Sequence, residues 1–431
     1  MNAIFWHRRD LRISDNACLH KALGSGYSVH PVFIFDSNIL SLLPEDDQRV
    51  LFIHQEISRL KTAYNSLGTD LIVRFGDPKA LIPELVNELA AQEVFANRDY
   101  EPYALERDKF IFEKLKTQGK SFTGTKDHVI FDRSEVMKAD GSPYTVFTPY
   151  SRRWKEKINA YYLKGYPVEK YTDALAKKND QRLITLNEMG FRDEQKVDFP
   201  PRLTNEELVR NYHATRDIPS IKGTSRLSLH LRFGTISIRE LTRFAIEHNS
   251  TFLNELIWRD FYQMIIYHFP HSANDSFKKQ YDRIEWERNE VHFKAWCEGK
   301  TGYPLVDAGM RELNATGFMH NRVRMVVASF LTKHLLLDWR LGEAYFAEKL
   351  LDYELASNIG GWQWAAGCGC DAAPYFRVFN PQSQLEKFDR ECRYVRTWVP
   401  EFGTPEYPQP IVEHKYARER AITRYKQGLT Q

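Results

Sequence analysis

The sequence predicts an α/β N-terminal domain, built on a doubly wound, Rossmann-like parallel sheet, followed by an all-α C-terminal domain. The chain has 431 residues, which is more than one hydrophobic core usually supports. Short runs rich in Val, Ile and Phe alternate with helical patterns up to residue 131, and strand signals nearly vanish beyond Asn205. We therefore expect domains over 1–131 and 205–431, joined by a connector over 132–204.

Five short runs are the predicted strands of the first domain, namely 3–6, 29–35, 71–75, 94–96 and 128–131. Apolar residues between positions 50 and 67 recur at steps of three and four, which indicates one face of a helix. No GxGxxG motif follows the first strand, so the usual dinucleotide fingerprint is absent. The sheet could bind a ligand at its switch point or serve only as a scaffold.

The connector carries turn signals, including the Pro200-Pro201 pair, and we expect one or two short helices in it. The helices predicted after it are 205–212, 226–248, 251–268, 304–316, 319–338 and 341–350. Residues 352–381 have little periodicity, yet they include two tryptophans, two cysteines and four glycines. Composition alone favours a well-packed core turn there. The alternative is a segment that wraps a flat ligand, since glycine permits close backbone approach and indoles offer stacking faces.

Net charge and cysteine content say less about the class of protein than the pattern of strands and helices does. The 60 basic and 57 acidic residues leave a net charge of +3, so charge neither favours nor excludes nucleic acid as a partner. Five cysteines without a CxxC motif favour a reducing, cytoplasmic location. We expect Cys368 and Cys370 to be small buried hydrophobes rather than ligands of a metal or iron–sulfur cluster. No run of eighteen apolar residues occurs, so neither a signal peptide nor a membrane span is expected.

Six motifs follow one another along the chain: WHRRDLRISDN (6–16), GTSRLS (223–228), NELIWRDFY (254–262), GKTGYPLVDAGMREL (299–313), GFMHNRVRM (317–325) and WQWAAGCGCDAAPYFRVFNP (362–381). In order and spacing they resemble the photolyase/cryptochrome family, most closely its class I cyclobutane pyrimidine dimer branch. The resemblance covers the chain from end to end. It implies that the helical domain binds FAD and that the first domain is of the antenna type.

The FAD-binding residues that the resemblance implies are Tyr212, Thr224, Ser225, Arg226, Leu227, Ser228, Trp258, Arg259, Asn321, Arg324, Asp352, Glu354 and Asn358. Arg324 and Asp352 match the family's ion pair beside the isoalloxazine ring, and Asn358 matches the asparagine that faces flavin N5. Plant cryptochromes typically have aspartate at that last position. Glu354 departs from the family, which often has the shorter aspartate there. Without the other motifs, GTSRLS would be interpreted as a plain helix N-cap.

The resemblance also implies a pocket for a flipped-out cyclobutane dimer. The catalytic residues expected in it are Glu255, Trp258, Asn321, Met325 and Trp364. The DNA-binding residues expected around it are Glu255, Trp258, Arg259, Arg322, Trp364 and Arg377. Indoles offer faces to the dimer, polar groups read its edges, and arginines contact phosphates. Asn321 and Met325 stand where the branch that repairs (6-4) photoproducts has histidines.

Trp286, Trp339 and Trp362 match the family's electron-transfer chain, although each could serve only as packing. Tyr103 and Ala104, which follow Tyr100-Glu101-Pro102, and Ser272-Ala273 depart from the family's folate contacts, so methenyltetrahydrofolate is not expected as the second chromophore. A deazaflavin, another flavin or no antenna are the alternatives.

The resemblance thus implies light-driven repair of pyrimidine dimers in DNA by electron transfer from reduced FAD, in a protein that the family's pattern makes a monomer. A cryptochrome, which would be a flavin photoreceptor without repair activity, is the rival interpretation. A long C-terminal tail is common in cryptochromes, whereas this sequence ends about thirty residues after Pro400.

Overall fold

The computed structural model describes residues 1–177, 181–203 and 205–430. Residues 178–180 and 204 of the predicted connector, and residue 431 of the predicted helical domain, lie outside the described residues. Among the described residues, no helix is long and apolar enough to cross a membrane.

A five-stranded parallel sheet forms the N-terminal part, which confirms the predicted α/β fold. Its strands are β1 (Asn2–His7), β2 (Ser28–Asp36), β3 (Ile72–Gly76), β4 (Ala91–Asn97) and β5 (Ser121–Thr125), in the order β3-β2-β1-β4-β5. Helices α1 (Ala17–Leu23), α2 (Ser37–Leu40), α3 (Gln48–Ser66), α4 (Pro78–Glu88) and α5 (Pro102–Thr117) connect them. The strand order reverses direction at β1, as in other doubly wound folds.

Both faces of the sheet are buried, because successive residues of a strand point to opposite sides. On one face, Ala3 and Phe5 of β1 pack with apolar residues of α1 and α3. On the other face, Ile4 and Trp6 pack with apolar residues of α4 and α5. This two-sided burial explains why β1 and β2 are continuous apolar runs rather than alternating ones.

The fifth strand was predicted wrongly at 128–131. The strand is Ser121–Thr125, whose residues are exposed or half-buried and mostly polar, so that hydropathy does not mark it. Val129, Ile130 and Phe131 are buried without joining the sheet. The apolar run at 128–131 is therefore a buried loop and not a strand.

The rest of the described chain is helical. Its α-helices are α6 (Phe147–Lys157), α7 (Ala160–Leu163), α8 (Glu206–Arg210), α9 (Tyr212–Thr215), α10 (Ser228–Phe233), α11 (Ile238–His248), α12 (Ser250–His268), α13 (Glu290–Cys297), α14 (Pro304–Thr316), α15 (Asn321–Ser329), α16 (Trp339–Lys349), α17 (Leu355–Ala366), α18 (Pro381–Phe388), α19 (Arg393–Trp398) and α20 (His414–Thr430). A π-helical turn, Phe330–His334, continues α15, and 3-10 turns occupy Val168–Ala174, Asn187–Met189, Pro270–Ala273 and Lys279–Arg283.

Helix α17 lies within residues 352–381, where the weak periodicity of the sequence predicted no helix. Its two adjacent glycines weaken the sequence signal for a helix, because glycine is a poor helix former. At Gly360 a Cβ atom would stand 2.2 Å from the ring of Tyr262, so only glycine permits the packing of α17 against α12. Gly367, with φ of 90°, then ends the helix in the left-handed conformation.

The chain forms two compact units that intersperse along the sequence. The first comprises Met1–Val136, Trp154–Leu203 and Arg226–Glu247, and the second comprises Met137–Arg153, Thr204–Ser225 and His248–Gln431. The predicted continuous domains, 1–131 and 205–431 with their connector, stay a prediction.

Within the first unit, the segment Arg226–Glu247 is held by buried charges. Arg239 donates from Nε to Oδ1 of Asp15 at 3.1 Å and from Nη2 to Oδ1 of Asp127 at 2.9 Å. Arg12 binds Asp127 as well, at 2.7 Å. Burial opposes ionisation of Asp127, but the two arginines more than compensate and lower its pKa to about 2. The segment is therefore part of this unit's interior, although it lies far along the chain.

Candidate active site

Helix α12 presents a carboxylate and an indole on one face. Glu255 and Trp258 are three residues apart, so their side chains project from the same side of the helix. Oε1 of Glu255 accepts a hydrogen bond of 2.5 Å from Nη1 of Arg216, and the two side chains are 29% and 25% exposed. Burial raises the pKa of Glu255, and the positive charge of Arg216 opposes that rise. Glu255 is therefore a partly buried carboxylate whose ionised form depends on Arg216.

The indole of Trp258 lies in an aromatic cluster of the second unit. Its ring stacks on Phe147 with centroids 3.7 Å apart and planes within 4°. Tyr262 lies 5.4 Å away on the same helix, tilted by 33°. The backbone N–H of Phe147 donates to Oδ2 of Asp371 at 3.1 Å, which fixes the start of α6. One face of Trp258 is thus covered, and an apolar ligand would meet the rest of its surface.

Helix α15 begins with an exposed amide and a firmly held guanidinium. Asn321 is exposed, and Arg322 follows it with a side chain 20% exposed. Nη2 of Arg322 donates to Oδ1 of Asp217 at 2.8 Å, and Cζ lies 4.5 Å from the ring centroid of Phe388. Nη1 lies 3.7 Å from Sδ of Met325. The structure therefore brings Asn321, Arg322 and Met325 together at one helix end.

Trp364 and Arg377 lie in the last of the six motifs. Trp364 is half-buried on α17, with its ring centroid 6.3 Å from that of Phe379. Arg377 is exposed, next to an equally exposed Phe376. Among the described residues, neither has a hydrogen bond or ring contact with the Glu255 side chain. The structure places them in the same unit, and their part in a common pocket stays a prediction.

Two arginine–carboxylate pairs lie at the start of α17. Nη2 of Arg324 lies 3.1 Å from both carboxylate oxygens of Asp352. Nη2 of Arg259 donates to Oε1 of Glu354 at 3.0 Å, and both side chains are nearly fully buried. Oε2 of Glu354 accepts a second bond from Ser357 at 2.9 Å. The longer side chain at position 354 therefore reaches a partner, and each charge is compensated.

Asn358 engages its amide nitrogen and keeps its carbonyl oxygen available. Its Nδ2 donates to the backbone oxygen of Glu343 at 3.1 Å and to Oε1 of the same residue at 2.9 Å. Burial raises the pKa of Glu343. Nothing donates to Oδ1 of Asn358 among the described residues. One turn further along α17, Gly361 is exposed, and a Cβ there would meet nothing within 4 Å.

The GTSRLS segment leads into helix α10. The helix starts at Ser228, and its N-cap residue is Leu227, whose apolar side chain cannot cap it. Tyr212, Thr224 and Ser225 belong to the second unit, whereas Arg226, Leu227 and Ser228 belong to the first. Arg226 has φ of 52°, so the chain turns sharply at the middle of the motif. The assignment of these six residues to a diphosphate stays a prediction.

Two family models match the chain. Residues 3–170 match the model of DNA photolyase, and residues 252–404 match the model of the FAD binding domain of DNA photolyase. A deoxyribodipyrimidine photo-lyase of Halobacterium salinarum is 37% identical and covers 99% of this chain and 99% of its own length. The chain belongs to the DNA photolyase family.

Further relatives agree. The deoxyribodipyrimidine photo-lyase of Escherichia coli is 37% identical over 98% of both chains. A bacterial class III photolyase from Agrobacterium tumefaciens superposes with a TM-score of 0.87 at 33% identity, over 100% of this chain and 98% of its own. An archaeal photolyase from Sulfolobus tokodaii, solved with two FAD molecules, superposes with a TM-score of 0.86 at 34% identity, over 99% and 100%.

This photolyase contains the family's FAD-binding domain, and the chemistry of the site fits the cofactor. The free carbonyl of Asn358 can accept a hydrogen bond from a ring N–H, and the open space at Gly361 leaves room for a flat group. Arg324 forms an ion pair with Asp352, and its guanidinium can face the pyrimidine edge of a flavin. Such groups are the means by which a protein tunes a cofactor.

The predicted relay tryptophans lie in the helical core. Trp339 begins α16 and Trp362 lies in α17, and both are buried, whereas Trp286 is half-buried. The two helices approach closely at Gly342, where a Cβ would stand 2.1 Å from Cη2 of Trp362. The ring centroid of Trp296, which was not predicted, lies 6.1 Å from that of Trp362. No ring contact joins the three predicted tryptophans within the described residues, so the relay stays a prediction.

Two of the positions that depart from the folate contacts form internal hydrogen bonds. The hydroxyl of Tyr103 donates to Oδ2 of Asp36 at 2.7 Å, and the nearby Glu101 accepts a bond of 3.0 Å from Nη1 of Arg9. Ser272 is buried and donates to a backbone oxygen at 2.7 Å. The prediction that methenyltetrahydrofolate does not bind stays open to test, as do the alternatives of a deazaflavin, another flavin or no antenna.

Cys368 and Cys370 are buried, as predicted. Burial raises the pKa of each thiol to about 12, so both are neutral at physiological pH. In the described part of the chain, no three or more His, Cys, Asp or Glu side chains group as a metal site would require.

Four residues of the site were not predicted from the sequence: Phe147, Arg216, Asp217 and Glu343. Arg216 and Asp217 are adjacent residues of opposite charge shortly before GTSRLS. This is the sequence signal from which they could have been identified as site residues. Nothing in the sequence links Phe147 to Trp258 or Glu343 to Asn358, because the contacts depend on tertiary packing.

Proposed function

We propose that this photolyase uses blue or near-UV light to split cyclobutane pyrimidine dimers in DNA, with reduced FAD as the electron donor. The observation that carries the proposal is the pairing on α12 of a partly exposed carboxylate, Glu255, with a partly exposed indole, Trp258. A flipped dimer presents an apolar body and polar imide edges, and this pair complements both. The relatives' name, deoxyribodipyrimidine photo-lyase, supports the same substrate class.

Binding begins with the phosphates. Arg322 and the exposed Arg377 would contact the backbone near the lesion without reading sequence. Extruding the dimer costs a few kcal/mol, and the cost is lower for a damaged, poorly stacked pair. Affinity should fall as salt rises, because phosphate contacts release counterions.

Recognition of the dimer follows from the free groups of the pocket. Since Oε1 of Glu255 is bonded to Arg216, Oε2 can accept the imide N–H of the dimer. Trp258 and Trp364 would form apolar walls, and the exposed amide of Asn321 would bond a carbonyl oxygen. Met325, whose side chain is unbranched and adaptable, would fill the irregular space left by the puckered ring.

The chain's remaining groups hold the cofactor. When bound, reduced FAD supplies the electron that light transfers to the dimer. Asn358 would hold the N5 edge through Oδ1, because its Nδ2 is already committed to Glu343. Arg324 and Asp352 would flank the ring, and Thr224 and Ser225 would bond the diphosphate. We further propose that residues 1–131 form the antenna-type domain and 205–431 the FAD- and lesion-binding domain.

The decisive experiment is a repair assay. The purified protein with chemically reduced flavin is mixed with oligothymidine that carries cyclobutane dimers, and recovery of thymine absorbance is followed in light and in darkness. We expect recovery only in light. A protein that holds reduced FAD but gives no recovery on this substrate would contradict the proposal and favour a photoreceptor role, with a (6-4) substrate the next to try.

The affinity for dimer-containing DNA should depend on pH through Glu255. An ionised carboxylate accepts the imide N–H more strongly than a protonated carboxyl group does. Burial raises the pKa of Glu255, so affinity should fall on acidification at a pH above the usual titration range of glutamate. In Arg216→Gln the charge that opposes this rise is lost, and the midpoint should move to higher pH.

Fluorescence anisotropy with a dimer-containing duplex between pH 5 and 8 would measure the midpoints. Arg210→Gln is the matched control, because Arg210 forms an exposed pair with Glu206 on α8. An unchanged midpoint in Arg216→Gln would contradict the role given to Arg216.

A further inference from the structure

Four charged side chains of the second unit form a chain of alternating sign. Glu255 bonds Arg216 at 2.5 Å, and Arg322 bonds Asp217 at 2.8 Å. Nε of Arg216 lies 3.9 Å from Oδ1 of Asp217, which links the two pairs. The carboxylate proposed to read the dimer and the arginine proposed to contact a phosphate are therefore both engaged by the neighbouring residues 216 and 217.

The Asp217–Arg322 pair is asymmetric. Arg322 is one-fifth exposed, and Phe388 and Met325 hold its guanidinium in place. Its Nε is buried, with no hydrogen-bond partner in the described residues. The side chain of Asp217 is 43% exposed and lies on a turn after the four-residue helix α9. An incoming anion can thus displace the carboxylate into water while the arginine stays where it is.

We propose that Asp217 occupies Arg322 in the place of a DNA phosphate until dimer-containing DNA displaces it. The inference rests on the proposed function, since it requires that Arg322 contacts the backbone of the lesion strand. An aspartate carboxylate and a phosphate oxygen offer the same guanidinium a charge-assisted hydrogen bond, so only one of them can hold a given N–H at a time.

The two kinds of DNA differ in the phosphate contact that Arg322 makes. A dimer that flips into the pocket adds contacts to Glu255 and Trp258, and these contacts offset the loss of the Asp217–Arg322 pair. An undamaged duplex adds no such contacts, so Arg322 stays with Asp217 and one phosphate contact is not made. Asp217 therefore removes a phosphate contact from the undamaged complex, whereas the dimer complex makes that contact and bears the cost of breaking the pair.

The test compares the wild-type protein with Asp217→Asn on dimer-containing and undamaged duplexes of the same sequence, over a series of salt concentrations. For undamaged DNA, the variant should bind more tightly by up to about five-fold, the upper limit expected from an exposed ion pair. Its salt slope, d log K/d log [salt], should steepen by about 0.9, the value of one added phosphate contact. For the dimer duplex the salt slope should be unchanged, because Arg322 contacts the phosphate in both proteins, and the gain should be at least as large, because the variant no longer has to break the pair.

Two controls separate this effect from net charge and from folding. Glu206→Gln removes a carboxylate from an exposed arginine pair in the same unit and should leave the salt slope for undamaged DNA unchanged. Adding Arg322→Gln to Asp217→Asn should abolish the gain relative to Arg322→Gln alone. An equal gain in Glu206→Gln, a gain that persists without Arg322, or weaker binding of both duplexes in Asp217→Asn would overturn the proposal.

If the proposed function is wrong, the measurements will differ from those expected when only the role of Asp217 is wrong. If the wild-type protein binds both duplexes equally and repairs neither, the dimer itself is not the substrate. If it repairs the dimer and Asp217→Asn leaves both affinities and both salt slopes unchanged, only the role of Asp217 is wrong.

Discussion

Glu255→Ala should weaken binding of dimer-containing DNA by about 10- to 100-fold, the loss expected when a hydrogen bond to a charged group is removed. Repair at limiting protein should fall in proportion, while FAD stays bound, because Glu255 has no bond to Arg324, Asp352 or Asn358. Undamaged DNA should bind as before or slightly more tightly, since Arg216 is released from its partner. Anisotropy measures the affinities, flavin absorbance after gel filtration measures retention, and the light-dependent assay measures repair.

The substitution should leave the fold intact. Alanine is the best helix former, and position 255 lies inside the 19-residue helix α12. Glu206→Ala is the matched control, because it removes a glutamate that pairs with an arginine on the exposed helix α8. Unchanged repair and affinity in Glu255→Ala would show that this carboxylate does not read the lesion.

Trp339→Phe should remove most of the rate at which light reduces oxidised FAD in the presence of an external reductant. It should spare repair by protein whose flavin has been reduced chemically, because the relay is not needed for that step. Phenylalanine keeps most of the apolar volume, and Nε1 of Trp339 has no hydrogen-bond partner in the described residues, so no bond is lost. Bleaching of the oxidised-flavin absorbance under blue light gives the rate.

Trp296→Phe is the control for packing. Trp296 is fully buried, and its ring lies edge-on to that of Trp362. Its Nε1 donates to the backbone oxygen of Val327 at 3.3 Å, so this substitution disturbs the core more than Trp339→Phe does. Equal slowing in the two variants would mean that photoreduction depends on core packing, and the relay assignment would be wrong.

The sequence predicted the parts of the fold in which burial follows a simple period. Strands β1 to β4 and the apolar face of α3 were found because their residues pack on a two-sided sheet. Strand β5 was missed because an edge strand with half-buried residues has no apolar run. Helix α17 was missed because Gly360 is required by the ring of Tyr262, a contact that no local rule contains.

The residues of the candidate site could be predicted from the sequence, but the side chains that bind them could not. The motifs supplied Glu255, Arg322 and Asn358 through resemblance. The groups that hold them, Arg216, Asp217 and Glu343, contact them only in the folded chain. The charge of Arg216 opposes the rise in the pKa of Glu255 that burial causes, and Asp217 occupies Arg322, so the chemistry of the site depends on residues that the motifs do not include.

The interspersed units also constrain how the protein is made. Domains generally fold as units while the ribosome is still adding residues. Here Asp15 and Asp127 are synthesised before Arg239, which binds both of them and follows each by more than a hundred residues. The N-terminal unit therefore cannot complete its interior when the sheet has emerged. Until residue 247 has left the exit tunnel, Asp15 and Asp127 lack the charge of Arg239, although Arg12 can already pair with Asp127, and this is the stage at which a chaperone would have most to protect.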